Sequence, residues 1–405
     1  MRGLSGRHLI AVMCVAEVLG MASFAMFPAL MPGFIQEWSL SNTEAGWING
    51  LYFAGYTVAV PILVSLTDRV DPRRIYLASA VVTSASAFGF AFFAEGFWSA
   101  LILRAIAGVG LAGTYMPGLK ALSDRFEGPA QSRAVAVYTA SFGVGASVSF
   151  AMAGELAELL DWQGAFAVGG VCGLLALFIV TVVLAPSPPE MREQEGHFLD
   201  FRPVFRNRPA MGYVLAYAAH NWELFGLRSW IVAFLVYAQS LQQDLESATW
   251  WSPPLIAAAI NLIGWPASVF GNEFAVRFSR QRVVILVMTV SALYSCLFGF
   301  TASWPFIIIV GMSLIYGVTV TGDSASITAG VVAAAQPEHL GATMAVHSCI
   351  GFAGASAGPI VFGVVLDLAG GGTTTLGWGL AFAAMGLGVA MGPIAVAVLS
   401  RRRPD

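Results

Sequence analysis

Residues 220–228, HNWELFGLR, carry a histidine, a glutamate and an arginine inside an otherwise apolar stretch. Each ionisable group costs roughly 2.5–3.5 kcal/mol at a bilayer centre on insertion scales, so such groups usually face water or a partner. His220 and Glu223, three residues apart, share one helix face. A hydrogen-bonded pair that tunes the carboxylate is the expected use, because two ligands do not close a metal shell. Arg228 lies about 140° around a straight helix from Glu223, so the two pair only if Gly226 breaks the helix. Glu17, Arg104 and Asp323 are likewise embedded in apolar runs. Low dielectric disfavours a charged carboxylate, which suits a group that takes up and releases a proton. Arg104 also fits a structural buried ion pair, and Asp323, in TGDSAS, fits helix packing as well as proton carriage.

The elements that must hold these groups are membrane helices. Of 405 residues, 57% are hydrophobic and 11% charged, with a mean hydropathy of +0.75, which excludes a soluble globular chain. A net charge of −3 without a basic tail gives no reason to expect nucleic acid. Cys14, Cys172, Cys296 and Cys349 lie singly in apolar stretches, so neither a disulfide nor a metal site is expected. The first apolar run lacks a cleavage pattern and reads as a span. Stretches long enough to cross about 30 Å fall at 8–35, 45–66, 74–95, 97–119, 133–155, 162–185, 210–238, 252–275, 282–302, 304–330, 340–366 and 374–399. Apart from Arg104 and Arg228, every arginine and lysine lies at the termini, in the even-to-odd connections or at the adjoining helix ends. The positive-inside rule then puts both termini in the cytoplasm, in the cell inner membrane. Trp47, Trp98, Trp162, Trp250, Trp304 and Trp378 stand at the opposite ends, as interfacial anchors should.

The chain repeats weakly at an offset of about 206–209 residues: EVLGMASF with ELFGLRSW, LTDRVDPRR with FAVRFSRQR, and AVYTASFGVGA with AVHSCIGFAGA. Glu17 and Glu223 occupy equivalent positions, as do Tyr138 and His347, which could flank a cavity. Two like-oriented copies predict a pseudo-twofold axis along the membrane normal with a site at the interface, where the two glutamates would face each other. The predicted fold is an all-α membrane protein of 12 transmembrane helices. It comprises a six-helix bundle at 1–185, a polar cytoplasmic linker at 186–208 and a second bundle at 209–405.

VSLTDRVDPR and LILRAIAGVGLAG give the sequence a resemblance to the major facilitator superfamily over essentially the whole chain. Asp68 and Arg69 match the central pair of the family's loop motif between spans 2 and 3, and Arg73 a later basic position; Val64 and Asp71 replace its glycines. Arg104, Gly108 and Gly110 match the span-4 motif, with Ala107 in place of its usual glutamine. The second copy of the loop motif has Val276 at the acid position, and a partial version of the antiporter motif falls in span 11, GASAGPIVFG. The resemblance implies alternating access, with Asp68, Arg69 and Arg73 as an inner gate in which Asp68 latches one state, although Arg73 also fits a plain solvated turn. GASAG is not a nucleophile elbow, since no strand precedes it. No phosphate loop is present, so a gradient must drive any transport.

These features together predict a secondary active transporter of a small solute, a small organic compound or anion, acting as a monomer in the lipid bilayer without a cofactor and not as an enzyme. Proton coupling through Glu17 or Glu223 is the expected energy source, with facilitated diffusion as the alternative. A transporter-like receptor or sensor is the competing class.

Overall fold

The computed structural model describes residues 6–187, 201–242 and 251–400, and all long elements are helical. In chain order they are α1 (Gly6–Gly20), α2 (Met26–Glu37), α3 (Asn42–Leu66), α4 (Pro72–Phe93), α5 (Phe97–Ser123), α6 (Gly128–Val183), α7 (Arg202–Arg206) and α8 (Arg208–Ser240). There follow α9 (Pro253–Arg277), α10 (Arg280–Phe298), α11 (Phe306–Thr321), α12 (Ser324–Ala334), α13 (Leu340–Leu368), α14 (Thr375–Val389) and α15 (Met391–Leu399). Among the described residues, nine helical segments are long and apolar enough to cross a membrane. Many large apolar side chains, Val58, Phe92, Phe93, Phe178, Leu293 and Ile307 among them, are exposed. That is the surface a lipid solvent requires, and the chain is a multi-pass membrane protein.

Several expected spans are not single straight helices. The run at 8–35 breaks at 21–25, between α1 and α2. Pro28 lacks the N–H that would bond Phe24 O. The run at 304–330 breaks between α11 and α12 at Gly322 and Asp323, and the last run divides at Ala390. Conversely, α6 runs 56 residues without a loop, but Asp161 at φ 66° interrupts it. A helix of that length is about 84 Å, far more than one bilayer, so the interruption separates two membrane-length arms.

The chain packs into two compact units: the described residues up to Leu30 with those from Leu51 to Ser187, and Met31–Gly50 with the described residues from 201 on. Residues 42–50 of α3 thus belong to the second unit and the rest of α3 to the first. In the first unit, Met13, Ala16, Tyr76, Tyr138, Ala176 and Val180 form part of the core. In the second, Val214, Ala216, Val284, Met288, Ile327 and Val396 do so. Trp378, expected at an interface, is instead 4% exposed. It packs among Trp230, Phe234, Tyr237 and Phe362, and its Nε1 donates to Gly372 O at 2.9 Å. The linker is described only at its two ends, and Trp250 lies outside the described residues.

Candidate functional site

In the first unit, Glu17 on α1 is buried at 5% exposure. It lines a small cavity with Gly20, Met21, Tyr76, Leu111, Thr114, Tyr115 and Tyr138. Ser141 on α6 hydrogen-bonds Glu17 Oε2 and also lies 2.7 Å from Tyr138 O. A serine hydroxyl has one proton to donate. With Glu17 ionised, that proton goes to the carboxylate; with Glu17 protonated, the acid donates to Ser141, which turns to Tyr138 O. One hydroxyl rotation therefore accommodates both protonation states. Glu17 Oε1 and Tyr138 Oη are buried without a hydrogen-bond partner, and both residues line the cavity. Such orphaned groups are rare and mark a place where water or a ligand fits.

Arg104 on α5 has a different occupation. Its guanidinium lies 3.1 Å from Phe24 O and 3.4 Å from Ser23 O, and stands over the Tyr52 ring at 4.1 Å. Phe24 O is the acceptor that Pro28 leaves without its helical donor. On the other side of the break, Ser149 accepts from Ala25 N at 2.9 Å and donates to Ala22 O at 2.7 Å. Arg104 and Ser149 thus complete the broken backbone, and among the described residues no carboxylate pairs with Arg104. The expected ion pair is replaced by backbone capping. Gly108, one turn along α5, lies so close to α3 that an added Cβ would stand 1.8 Å from Tyr52 O.

In the second unit, α8 divides its polar groups by face. Glu223, at 1% exposure, accepts from Ser291 at 2.9 and 3.0 Å and from Tyr316 Oη at 3.0 Å. His220 does not pair with it. Instead, His220 Nδ1 lies 2.8 Å from Asp323 Oδ1, both almost fully buried, as a close contact without hydrogen-bond alignment. The break between α11 and α12 sets Asp323 at this position. His347 on α13 stacks on Tyr217 with ring centroids 3.9 Å apart. Each glutamate is held by hydroxyls of its own unit, so a pairing of the two carboxylates has no part in how either is fixed. Arg228, on the remaining face, donates its Nε to Asn261 at 2.7 Å and makes no contact with Glu223, as the helical spacing predicts.

The loop between α3 and α4 also separates into two roles. Asp68 and Arg69 are exposed, and among the described residues neither side chain has an ion-pair partner. Asp71, which stands where the motif has glycine, caps α4 through Arg73 N at 2.9 Å and accepts from Ser187 N at 2.9 Å. Arg73 donates to Thr181 O at 2.8 Å, so it ties the loop to the end of α6. Far along the sequence, Asp367 near the end of α13 caps the start of α3. It accepts from Asn42 N at 3.1 Å, Asn42 Nδ2 at 2.8 Å and Thr43 N at 2.7 Å. Below that cap, Ser356 donates to Gly50 O at 2.9 Å. Cβ atoms added at Gly46 and Gly363 would stand 2.6 Å from Pro359 O and 2.2 Å from Asn42 O.

Residues 13–265 match the family model described as Major Facilitator Superfamily. The chain belongs to the major facilitator superfamily. It is 24% identical over 250 residues to protein spinster homolog 1 of Bos taurus, covering 58% of this chain and 47% of that protein. It is also 24% identical over 390 residues to the probable L-galactonate transporter of Escherichia coli (strain K12), covering 91% and 83%. The chain spans about half the length of the spinster relatives it matches. Its fold is similar to that of a bacterial homolog of the human lysosomal transporter Spinster in an inward-facing and occupied conformation. That similarity has TM-score 0.79 at 14% identity and covers 98% and 99% of the two chains.

As a superfamily member, the chain puts its span-4 motif to clear use: Arg104 completes the α1–α2 break and Gly108 lets α3 and α5 touch. Three functional contacts had no signal in the sequence. Ser141 and Ser291 are among many small polar residues in apolar runs, and Asp367 stands 325 positions from the helix start that it caps.

Proposed function

We propose that the chain is a secondary active transporter that moves a small organic solute by alternating access, with a proton gradient as its energy source. The observation that carries this reading is Glu17. It is a buried carboxylate lining a small cavity, with one oxygen on a serine relay, the other buried without a hydrogen-bond partner and, among the described residues, no ion-pair partner. A group that loads and unloads a proton needs both protonation states accommodated, and the Ser141 relay accommodates both. Glu223 is fully bonded by Ser291 and Tyr316, which favours Glu17 as the carrier and Glu223 as a group that responds to it. The name of the E. coli relative points to an organic anion as the solute. In this reading the broken α1–α2, α11–α12 and α14–α15 each count as one span and α6 as two. That gives twelve spans in bundles at 1–185 and 209–405 joined by 186–208, with both termini cytoplasmic and each monomer sufficient.

The test is uptake and exchange of candidate organic anions in proteoliposomes under an imposed pH difference. Wild type should accumulate solute against its gradient. Glu17→Gln, fixed in the neutral form, should abolish accumulation and spare solute exchange. Accumulation by Glu17→Gln at the wild-type level would remove Glu17 as carrier, and wild-type flux indifferent to the pH difference would remove proton coupling.

A further inference from the structure

Arg104 and Arg228 lie well inside α5 and α8, away from the helix ends, and they are used in opposite ways. Arg104 is 3% exposed and spends its guanidinium on two backbone carbonyls. Arg228 is only half-buried. Its Nε is committed to Asn261 Oδ1 at 2.7 Å, and among the described residues its two terminal nitrogens make no hydrogen bond. They are not enclosed either: the buried unpartnered atoms include Arg104 Nε but no nitrogen of Arg228.

The side chain is held in place from two directions. Asn261 is locked by its own Nδ2, which donates to Ala257 O at 2.8 Å along α9. The Phe225 ring lies under the guanidinium, 5.2 Å from centroid to Cζ. Nε and the fork opposite it lie in one plane, so fixing Nε on Asn261 aims both terminal nitrogens in a set direction. Among the described residues no carboxylate lies within ion-pair distance of Arg228. Glu223, the nearest acid along α8, points about 140° away and is bonded to Ser291 and Tyr316. An arginine at membrane depth with no counter-ion, a positioned side chain and two open parallel donors lacks only an anion.

We propose that the fork of Arg228, set by Asn261, is the binding site for the anionic group of the solute, a single carboxylate or phosphate. The inference rests on the transport reading for its biological meaning, but the site is a matter of binding alone. Tyr217, partly exposed, and Asn221, whose Nδ2 is buried without a hydrogen-bond partner, fall on the same stripe of α8 as Arg228, within about 40° at 100° per residue, about 16 and 10 Å along the axis.

The test is equilibrium binding to the full-length protein in detergent, without a gradient, read by tryptophan fluorescence. The probes are sodium gluconate against glucose, inorganic phosphate, and oleoyl lysophosphatidate against monooleoylglycerol. These arms separate a soluble carboxylate, a free phosphate and a lipid headgroup. At least one anionic probe should bind wild type about tenfold or more tightly than its neutral counterpart. Arg228→Gln should weaken that probe about 100-fold, the scale of two charged hydrogen bonds. Arg228→Lys should weaken it about tenfold, because it keeps the charge and loses the fork. Asn261→Ala should lie near Arg228→Lys and leave neutral probes unmoved, which a general loss of structure would not. The proposal is overturned if no anionic probe binds wild type, if neutral counterparts bind equally well, or if a folded Arg228→Gln protein binds the anions unchanged. Intact Arg228-dependent binding in a protein that shows no pH-driven accumulation would refute the proton-driven reading and leave this site standing.

Discussion

Asp367→Asn should loosen the contact between the start of α3 and the end of α13, and the effect can be sized. The carboxylate accepts three hydrogen bonds, two at Oδ1 from Asn42 and one at Oδ2 from Thr43 N. In the asparagine variant the amide oxygen keeps the pair at Oδ1, while the new amide group sets donor against donor at Thr43. The loss is one charged hydrogen bond, about 1.5 kcal/mol at the low end fitting a half-exposed group. Removing negative charge from a helix N-terminus adds about 0.5 kcal/mol. A total of about 2 kcal/mol is roughly a 30-fold change in an equilibrium. If α3 must part from α13 for the outer side to open, that factor falls on the population of the outward-open state. Ser356, which donates to Gly50 O beneath the cap, gives the readout. A cysteine at Ser356, in a background lacking Cys14, Cys172, Cys296 and Cys349, should react about 30-fold faster with an impermeant thiol reagent added outside. An unchanged rate in well-folded Asp367→Asn protein would show that the cap only finishes the helix.

Asp68→Asn should slow turnover while leaving thermal stability unchanged, because among the described residues the exposed side chain has no ion-pair partner to lose. Asp71→Ala should instead lower stability by about 1 kcal/mol, the usual cost of a lost N-cap, as measured by thermal unfolding in detergent. Equal effects of the two on turnover and stability would erase the distinction between latch and cap. Cysteines at Ser41 and Arg69 should react with an impermeant reagent from opposite sides of intact cells, Ser41 from outside; labelling of Arg69→Cys from outside would invert the orientation.

Helix positions were readable wherever twenty apolar residues ran without a break, because lipid forces backbone groups to bond locally. The breaks were harder to see. Pro28 is visible in the sequence, but Pro61, Pro117, Pro266 and Pro359 lie inside helices that continue. What distinguishes Pro28 is the donor waiting for the freed carbonyl, Arg104, some eighty residues away. The same holds for the site. Spacing on α8 correctly separated Arg228 from Glu223, since angle around a helix is a local property. It wrongly joined His220 to Glu223, because a shared face does not say which neighbour fills it, and Asp323 reached His220 from another helix. Asp71 looked like a lapse from a motif and proves to be the cap of α4.

The two faces of α8 give a last expectation. Five residues separate Glu223 from Arg228, a rise of about 7.5 Å on opposite sides of the helix, so their charged ends stand roughly 12 Å apart. At an effective dielectric near 20 that is about 1.4 kcal/mol, or a factor of about ten. An anion on Arg228 cancels the positive charge that favours ionised Glu223, so anion and proton should each promote binding of the other, as linkage requires. Anion affinity should therefore fall as pH rises through the titration of Glu223, by up to about tenfold. Glu223→Gln keeps an acceptor for Ser291 and Tyr316 but cannot ionise, so it should hold the low-pH affinity at every pH. A wild-type affinity that does not change with pH would mean that the faces of α8 do not communicate, and coupling would then have to run through Glu17 alone.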